Sequence, residues 1–256
     1  MDEPTSASRG PGGRTTSGRP PAFYARAGRL GEWWTLLHPP YTLWHLSYVA
    51  IGAALAPGME LRDLGWVLAA FALALGLGAH ALDELNGRPL GTSIPARTLV
   101  IAGAAGLGGG VLFGVYGVTL VGLGLVPFIV AGTFLALAYN LEWFGGWFHT
   151  DAWFAATWGS FPVVVGNFAQ EGSVSIAALV AAGWAFGLSY AQRSLSTQAR
   201  LIRRRTRETS VRLRLRSGET MMGDESFVLD PLEKALVSLS WATVLLAAAL
   251  LARALL

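Results

Sequence analysis

One uncharged run of 44 residues, 98–141, constrains this chain more than any other feature. As a single helix it would reach about 66 Å at 1.5 Å per residue, roughly twice the 30 Å of bilayer hydrocarbon, so it has to fold back as a hairpin. The turn is expected near Tyr116-Gly117. Five further stretches lack Asp, Glu, Lys and Arg: 33–59, 64–82, 152–170, 172–192 and 235–252. One such stretch would suit a buried helix of a soluble core, but six together require a bilayer. Composition agrees, with 14% charged residues against about a quarter in soluble domains. The expected fold is an all-α integral membrane protein of about seven transmembrane helices.

Basic residues set the expected orientation, because cytoplasmic loops hold the excess of Lys and Arg. Five Arg precede the first span, two lie in 83–97, and nine Arg with one Lys lie in 193–234. The other side offers only Arg62 and Arg253. This pattern predicts a multi-pass protein with its N-terminus cytoplasmic and its C-terminus outside. Attraction to anionic membrane lipids accounts for the basic residues, and nothing calls for a nucleic-acid partner. Residues 1–22, rich in Gly, Pro, Ser, Thr and Arg, are expected to be a disordered cytoplasmic tail, and 23–256 to be the transmembrane domain with a basic cytoplasmic loop at 193–234. Cysteine is absent, which excludes disulfides and thiolate chemistry.

Between tail and first span, 24–37 mixes Arg26, Arg29 and Glu32 with Leu30, Trp33, Trp34 and Leu37, as a helix in the headgroup region would. Pro39-Pro40 should end it. Within the spans, Gly106 and Gly110 have the small-xxx-small spacing that lets helices approach closely.

Ionisable residues at membrane depth are costly and usually face a bundle interior or a cavity. The second span ends with His80 and Asp83 three residues apart, hence on one helical face, followed by Glu84, Asn86 and Arg88. These residues are candidates for chemistry, or else mark the water boundary with Asn86-Gly87 as a C-cap and Arg88 as a lipid anchor. A second polar group, Tyr139, Asn140, Glu142, His149, Thr150 and Asp151, precedes the fifth span. There Thr150 or Asp151 would serve equally as an N-cap. Pro162 inside that span should free a backbone carbonyl and bend the helix. The sixth span ends at Tyr190, Gln192 and Arg193, with Arg200, Arg203, Arg204 and Arg205 beyond. Guanidinium groups in such a cluster bind diphosphate bidentately or simply anchor the chain to lipid. A transition-metal set of His80, Asp83, His149 and Asp151 has suitable ligand types if its two loops converge. Farther on, Val211, Leu213 and Leu215 alternate with arginines, predicting a short strand that turns at Ser217-Gly218.

The order and spacing of three motifs resemble the UbiA superfamily of intramembrane prenyltransferases over roughly 31–205. They are Leu37-His38-Pro39 before the first span, the 80–89 segment ending the second, and Trp158-Gly-Ser-Phe-Pro-Val-Val-Val-Gly166. The resemblance implies a UbiA-like bundle that transfers an isoprenoid group from a diphosphate donor to a lipid-soluble acceptor. It also implies Mg²⁺ on Asp83 and Glu84, with His80 beside them. Asn86, Arg88, Tyr139, Asn140, Tyr190, Arg193 and Arg200 would then surround the substrates. Residues 190–205 depart from the family in containing no Asp or Glu. A terpene cyclase of the same superfamily, or a non-catalytic membrane protein binding a lipid or partner, are the alternatives.

Overall fold

The computed structural model describes residues 20–256. Of the expected tail, 1–22, all but Pro20, Pro21 and Ala22 lies outside the described residues. A short helix, α1 (Arg29–Leu36), lies before the bundle. Arg26 stacks over the Trp34 ring at 4.0 Å, and the Trp34 indole donates to the Tyr24 carbonyl at 3.1 Å. Pro39 and Pro40 then open α2 (Pro39–Ala54) at its first helical positions, where a missing N–H costs nothing.

Six more long helical rods follow. The next, α3, spans Leu61–Leu85, with a π-helical middle at Ala72–Ala79. Then come α4 (Ala96–Val121) and α5 (Leu123–Asn140). Rod α6 joins Asp151–Phe154, a π-helical Ala155–Ser160 and Phe161–Glu171. Helix α7 runs Ile176–Arg205. A hairpin of β1 (Val211–Arg214) and β2 (Thr220–Gly223) leads into α8 (Glu225–Leu255). Its antiparallel register pairs Arg212 with Met222 and Leu213 with Met221, and Gly218 supplies the φ of 89° its turn requires.

Four of these rods, α3, α4, α5 and α8, are long and apolar enough to cross a membrane. Their outward faces are apolar too: Leu112, Phe113 and Val115 of α4, Val130 of α5, and Trp241 and Leu245 of α8 are exposed. Long helices with apolar outward faces of that kind suit lipid rather than water. The chain is thus a mostly helical membrane protein.

The structure departs from the sequence expectation in two places. The 98–141 run folds back at Gly122, φ 99°, rather than at Tyr116-Gly117. Gly117 lies within the helix, packed so closely on the Trp66 ring that a side chain there would collide with it, whereas Gly122 breaks the helix ahead of a 3₁₀ turn at Leu123–Leu125. Secondly, much of the 193–234 segment is helix rather than loop. No Gly or Pro interrupts 188–205, and Ala199 and Ile202 pack on Leu229 and Leu236 of α8. Helix α7 therefore projects past its apolar part and carries its arginines as a rigid rod.

Helix α2 sits at the centre, with Trp44, Tyr48 and Ile51 packed against Val163 and Ala185. Its approach to α6 needs glycine on both sides. A Cβ on Gly52 would overlap the Val163 carbonyl oxygen, and one on Gly166 would overlap that of Val49. Buried polar atoms are matched between helices: the Trp44 indole and the Ser189 hydroxyl both donate to the Tyr48 hydroxyl, at 2.6 and 3.0 Å. Asn167 donates to the Gly52 carbonyl at 3.1 Å. On the other side of the bundle Gly106 and Gly110 seat α4 against α3, in contact with Gly78 and Ala74.

Candidate functional site

The polar ends of α2, α3, α5, α6 and α7 surround a cavity of about 820 Å³. It gathers residues that the sequence scatters over more than 200 positions, from Pro21 to Leu236. Helix α2 contributes Tyr41 and His45, and its N-cap residue His38 completes a set spaced i, i+3 and i+7 along the chain. Helix α3 contributes His80 and Asp83, and α7 contributes Gln192, Arg193, Arg200 and Arg204.

All four histidines of the chain line this space. Each points Nδ1 at a backbone carbonyl: His38 at Leu36 (2.7 Å), His45 at Trp158 (2.7 Å), His80 at Gly76 (3.0 Å) and His149 at Tyr139 (3.0 Å). A carbonyl oxygen can only accept, so Nδ1 carries a proton, and in the neutral form of each ring Nε2 is the unprotonated nitrogen. Two of these carbonyls come from the π-helical segments. Trp158 is four residues before Pro162, whose missing N–H leaves that carbonyl without its helical donor, and His45 takes the place. The carbonyl that Pro162 frees is therefore part of the cavity wall. His38 stacks on His80 with ring centroids 4.4 Å apart, and His149 stacks on Tyr139 at 4.5 Å.

Charge in the cavity is unbalanced. Arg88, Arg193, Arg200, Arg203, Arg204 and Arg205 line it against Asp83, Glu142 and Glu233. Arg193 pairs with Asp151 at 3.2 Å and also reaches His149 Nε2 at 3.3 Å, while Arg203 binds both carboxylate oxygens of Glu233. Arg200 and Arg204 have no carboxylate partner among the described residues. Arg200 donates to the Thr197 hydroxyl at 3.1 Å, and Arg204 to the Pro21 carbonyl at 3.0 Å. Enclosure in the cavity, then the like charges of Arg193 and Arg204, push Arg200 down to about 10, so it stays charged at neutral pH. Arg204 is lowered as well, mainly by the same enclosure.

Two polar atoms in the wall have no partner. The Tyr139 hydroxyl and Gln192 Oε1 are buried and make no hydrogen bond, on residues 5% and 4% exposed. A buried unpaired polar atom is costly, and in a cavity wall it is placed to bond whatever fills the cavity, water or ligand. Backbone strain collects here as well: His38, Arg88 and Glu142, at φ 47°, 54° and 51°, line the cavity. Such conformations cluster where function holds them.

Of the residues expected from sequence, His80, Asp83, Asn86, Arg88, Tyr139, Asn140, Arg193 and Arg200 all line the cavity. Asn86 donates to the Asn140 carbonyl at 3.1 Å and Arg88 to the Ile94 carbonyl at 2.6 Å, tying the α3 loop together and to α5. Two expected residues lie elsewhere. Glu84 is fully buried and turned into the following loop, where it accepts from Leu90 N, Thr92 N and the Thr92 hydroxyl, each at 2.8 Å. Consecutive helical residues point about 100° apart, so Asp83 facing the cavity sends Glu84 away from it. Tyr190 is 46% exposed and stacks on Phe186 outside the cavity. The sequence reading does not single out His38, His45 or Gln192 as site residues, and it names Arg204 only within the arginine cluster. The spacing of His38, Tyr41 and His45 is the signal that would have found the first two.

These residues do not fit the Mg²⁺ that the resemblance implies. Glu84 spends both oxygens on the loop, and Asp83 stands within the fields of Arg200 and Arg204. Among the described residues no three His, Asp or Glu side chains converge as a metal site, so the His80, Asp83, His149 and Asp151 set does not form one either.

A narrower apolar cleft adjoins the cavity. It runs between α3, α4, α5 and α6, past Phe71, Phe128 and Phe161 toward Trp66, and shares Leu75 and Trp158 with the polar cavity. No family model matches the chain, and no curated protein or solved structure matches it.

Proposed function

We propose that this protein is a UbiA-like prenyl-transferring enzyme of seven membrane spans, N-terminus cytoplasmic and C-terminus outside, acting on an isoprenoid diphosphate and a lipid-soluble acceptor. The observation that carries the reading is an arginine-rich cavity lying beside an apolar cleft, with Leu75 and Trp158 lining both. A lipid diphosphate has that polarity, a charged head on a hydrocarbon tail. Guanidinium groups bind phosphate oxygens bidentately, so the head belongs with Arg200 and Arg204 and the tail with the aromatic cleft.

Transfer then needs little more from the protein. The allylic C–O bond breaks with its electron pair leaving on the diphosphate, where the fixed arginine charges stabilise it. The acceptor attacks the allylic carbon, and its proton passes to Asp83, the one carboxylate that α3 presents to the cavity. Gln192 Oε1, buried without a donor, suits an acceptor hydroxyl. His38, His45 and His80 offer unprotonated nitrogens beside that path.

Pyrophosphate release from geranyl, farnesyl and geranylgeranyl diphosphates by detergent-purified protein, with membrane extract as acceptor source, tests the reading. Release that falls more than about a hundredfold in Asp83→Asn, the size of a lost acid–base group, is the expected result. Release of pyrophosphate with a cyclised hydrocarbon as product would reassign the enzyme as a cyclase. Binding without release by wild type would leave a non-catalytic lipid binder, the role favoured by the lack of acids in 190–205.

A further inference from the structure

We propose that the cavity takes its diphosphate as the free anion, with Arg200 and Arg204 standing where a divalent metal ion would otherwise neutralise the leaving group. This rests on the functional reading above and departs from what the family resemblance implies.

The cavity wall holds six arginines against three carboxylates, and the additional acid Asp151 serves Arg193 alone. The remaining positive excess is of the order of a diphosphate ester, since a single phosphate monoester already carries about 1.5 to 2 negative charges at pH 7. Adding a divalent cation to the ligand would remove most of that negative charge and leave the arginines facing one another.

The donor set agrees with the count. Mg²⁺ in phosphate-transfer sites is held by about one or two carboxylates together with the substrate's phosphates. Here the carboxylate adjacent to Asp83 is buried in three hydrogen bonds to the 90–92 backbone and the Thr92 hydroxyl. Glu233 is occupied by Arg203, and Glu142 is exposed at the rim. Asp83 remains, and it stands within the fields of the Arg200 and Arg204 guanidinium groups. A cation bound there would meet fixed positive groups first.

Donors for a bare diphosphate are already in place. Arg200 and Arg204 are four residues apart on α7 and so share a helical face. Their guanidinium groups are pre-positioned by Thr197 and Pro21. The buried Tyr139 hydroxyl has no partner and can donate to a phosphate oxygen. When the C–O bond breaks, the new charge on the bridging oxygen is met by hydrogen bonds from these groups. No proton leaves an arginine and no metal changes ligands.

The test is direct binding of farnesyl thiodiphosphate, a slowly reacting donor analogue, to the detergent-purified full chain in EDTA and again in Mg²⁺. Equal affinity within about threefold in the two buffers supports the inference, and Arg200→Gln should weaken binding in EDTA more than about tenfold. Arg200→Lys, which keeps the charge but not the planar fork, should fall between. Arg214→Gln in the β-hairpin, a basic residue outside the cavity, should bind as wild type. A thermal melt of each variant without ligand separates loss of binding from loss of fold. Binding that appears only with Mg²⁺ would overturn the inference while leaving the donor reading intact. No binding in either buffer would overturn the donor reading itself. Equal weakening by Arg200→Gln and Arg214→Gln would show general attraction to cationic surface, and would also overturn it.

Discussion

Glu84 shows how far a residue's type can mislead about its work. Next to Asp83 at the end of an apolar helix it looks like half of an acidic pair, yet its carboxylate holds the 90–92 turn with three hydrogen bonds. Replacing it by Ala leaves those donors without their acceptor, a cost on the order of 3 kcal/mol. The expected outcome is a clear fall in Tm for Glu84→Ala in detergent; a variant that melts with wild type would remove Glu84 from the loop's support. His38 gives a pH-dependent counterpart. Burial first, and then neighbouring His80, hold its imidazole well below the ordinary range. In the unfolded chain it would take a proton near pH 6.5. A group depressed in the folded state contributes stability above the unfolded value and withdraws it as pH falls. Thermal stability should therefore decline below about pH 6.5, and His38→Gln should flatten that decline. An identical pH profile in the two proteins would count against it. Asp83 and Glu84, adjacent in sequence, have opposite fates because a helix turns about 100° per residue; that His80 and Asp83 share a face was legible in the sequence, but that this face meets the cavity was not.

At the scale of elements, the close pairing of α2 with α6 depends on backbone meeting backbone. Gly52 faces Val163 and Gly166 faces Val49, each three residues from the other's partner. Without a hydrophobic drive between helices in lipid, such approach and its hydrogen bonds hold the pair together. Gly52→Ala forces a Cβ into a carbonyl oxygen, and overpacking of this kind costs about 1–3 kcal/mol. Lower Tm and lower yield of monodisperse protein are expected. Gly108→Ala, where a Cβ meets nothing within 4 Å, should behave as wild type. The small-residue spacing of Gly106 and Gly110 could be read from α4 alone, since both lie on one stripe. The reciprocal Gly52 and Gly166 pair is split over 115 residues and has no such local signature. Pro162 is intermediate: the sequence shows that a carbonyl is freed, and only the packing of α2 supplies His45 to receive it.

For the whole molecule, the exposed apolar residues and four helices of spanning length support a membrane location. The proposed seven-span arrangement has a direct test, because the chain contains no cysteine. Ser217→Cys in the hairpin turn should react with an impermeant maleimide from the cytoplasmic side. Gly58→Cys and Ser173→Cys, between α2 and α3 and between α6 and α7, should react from the opposite side. Labelling of all three from one side would overturn the topology. Helix α7 joins the two levels, since its apolar part lies within the bundle while Arg193, Arg200 and Arg204 extend over the cavity on the same rod.

Membrane class, the approximate positions of the long apolar helices and the β-hairpin could be read from the sequence alone. They depend on hydropathy, periodicity and charge, which are properties of neighbouring residues. The tertiary structure decided that four histidines, Asp83 and the α7 arginines meet in one cavity, and that Glu84 and Tyr190 do not. Those outcomes depend on helix rotation and on contacts between residues far apart in the chain, and no short stretch of sequence contains them.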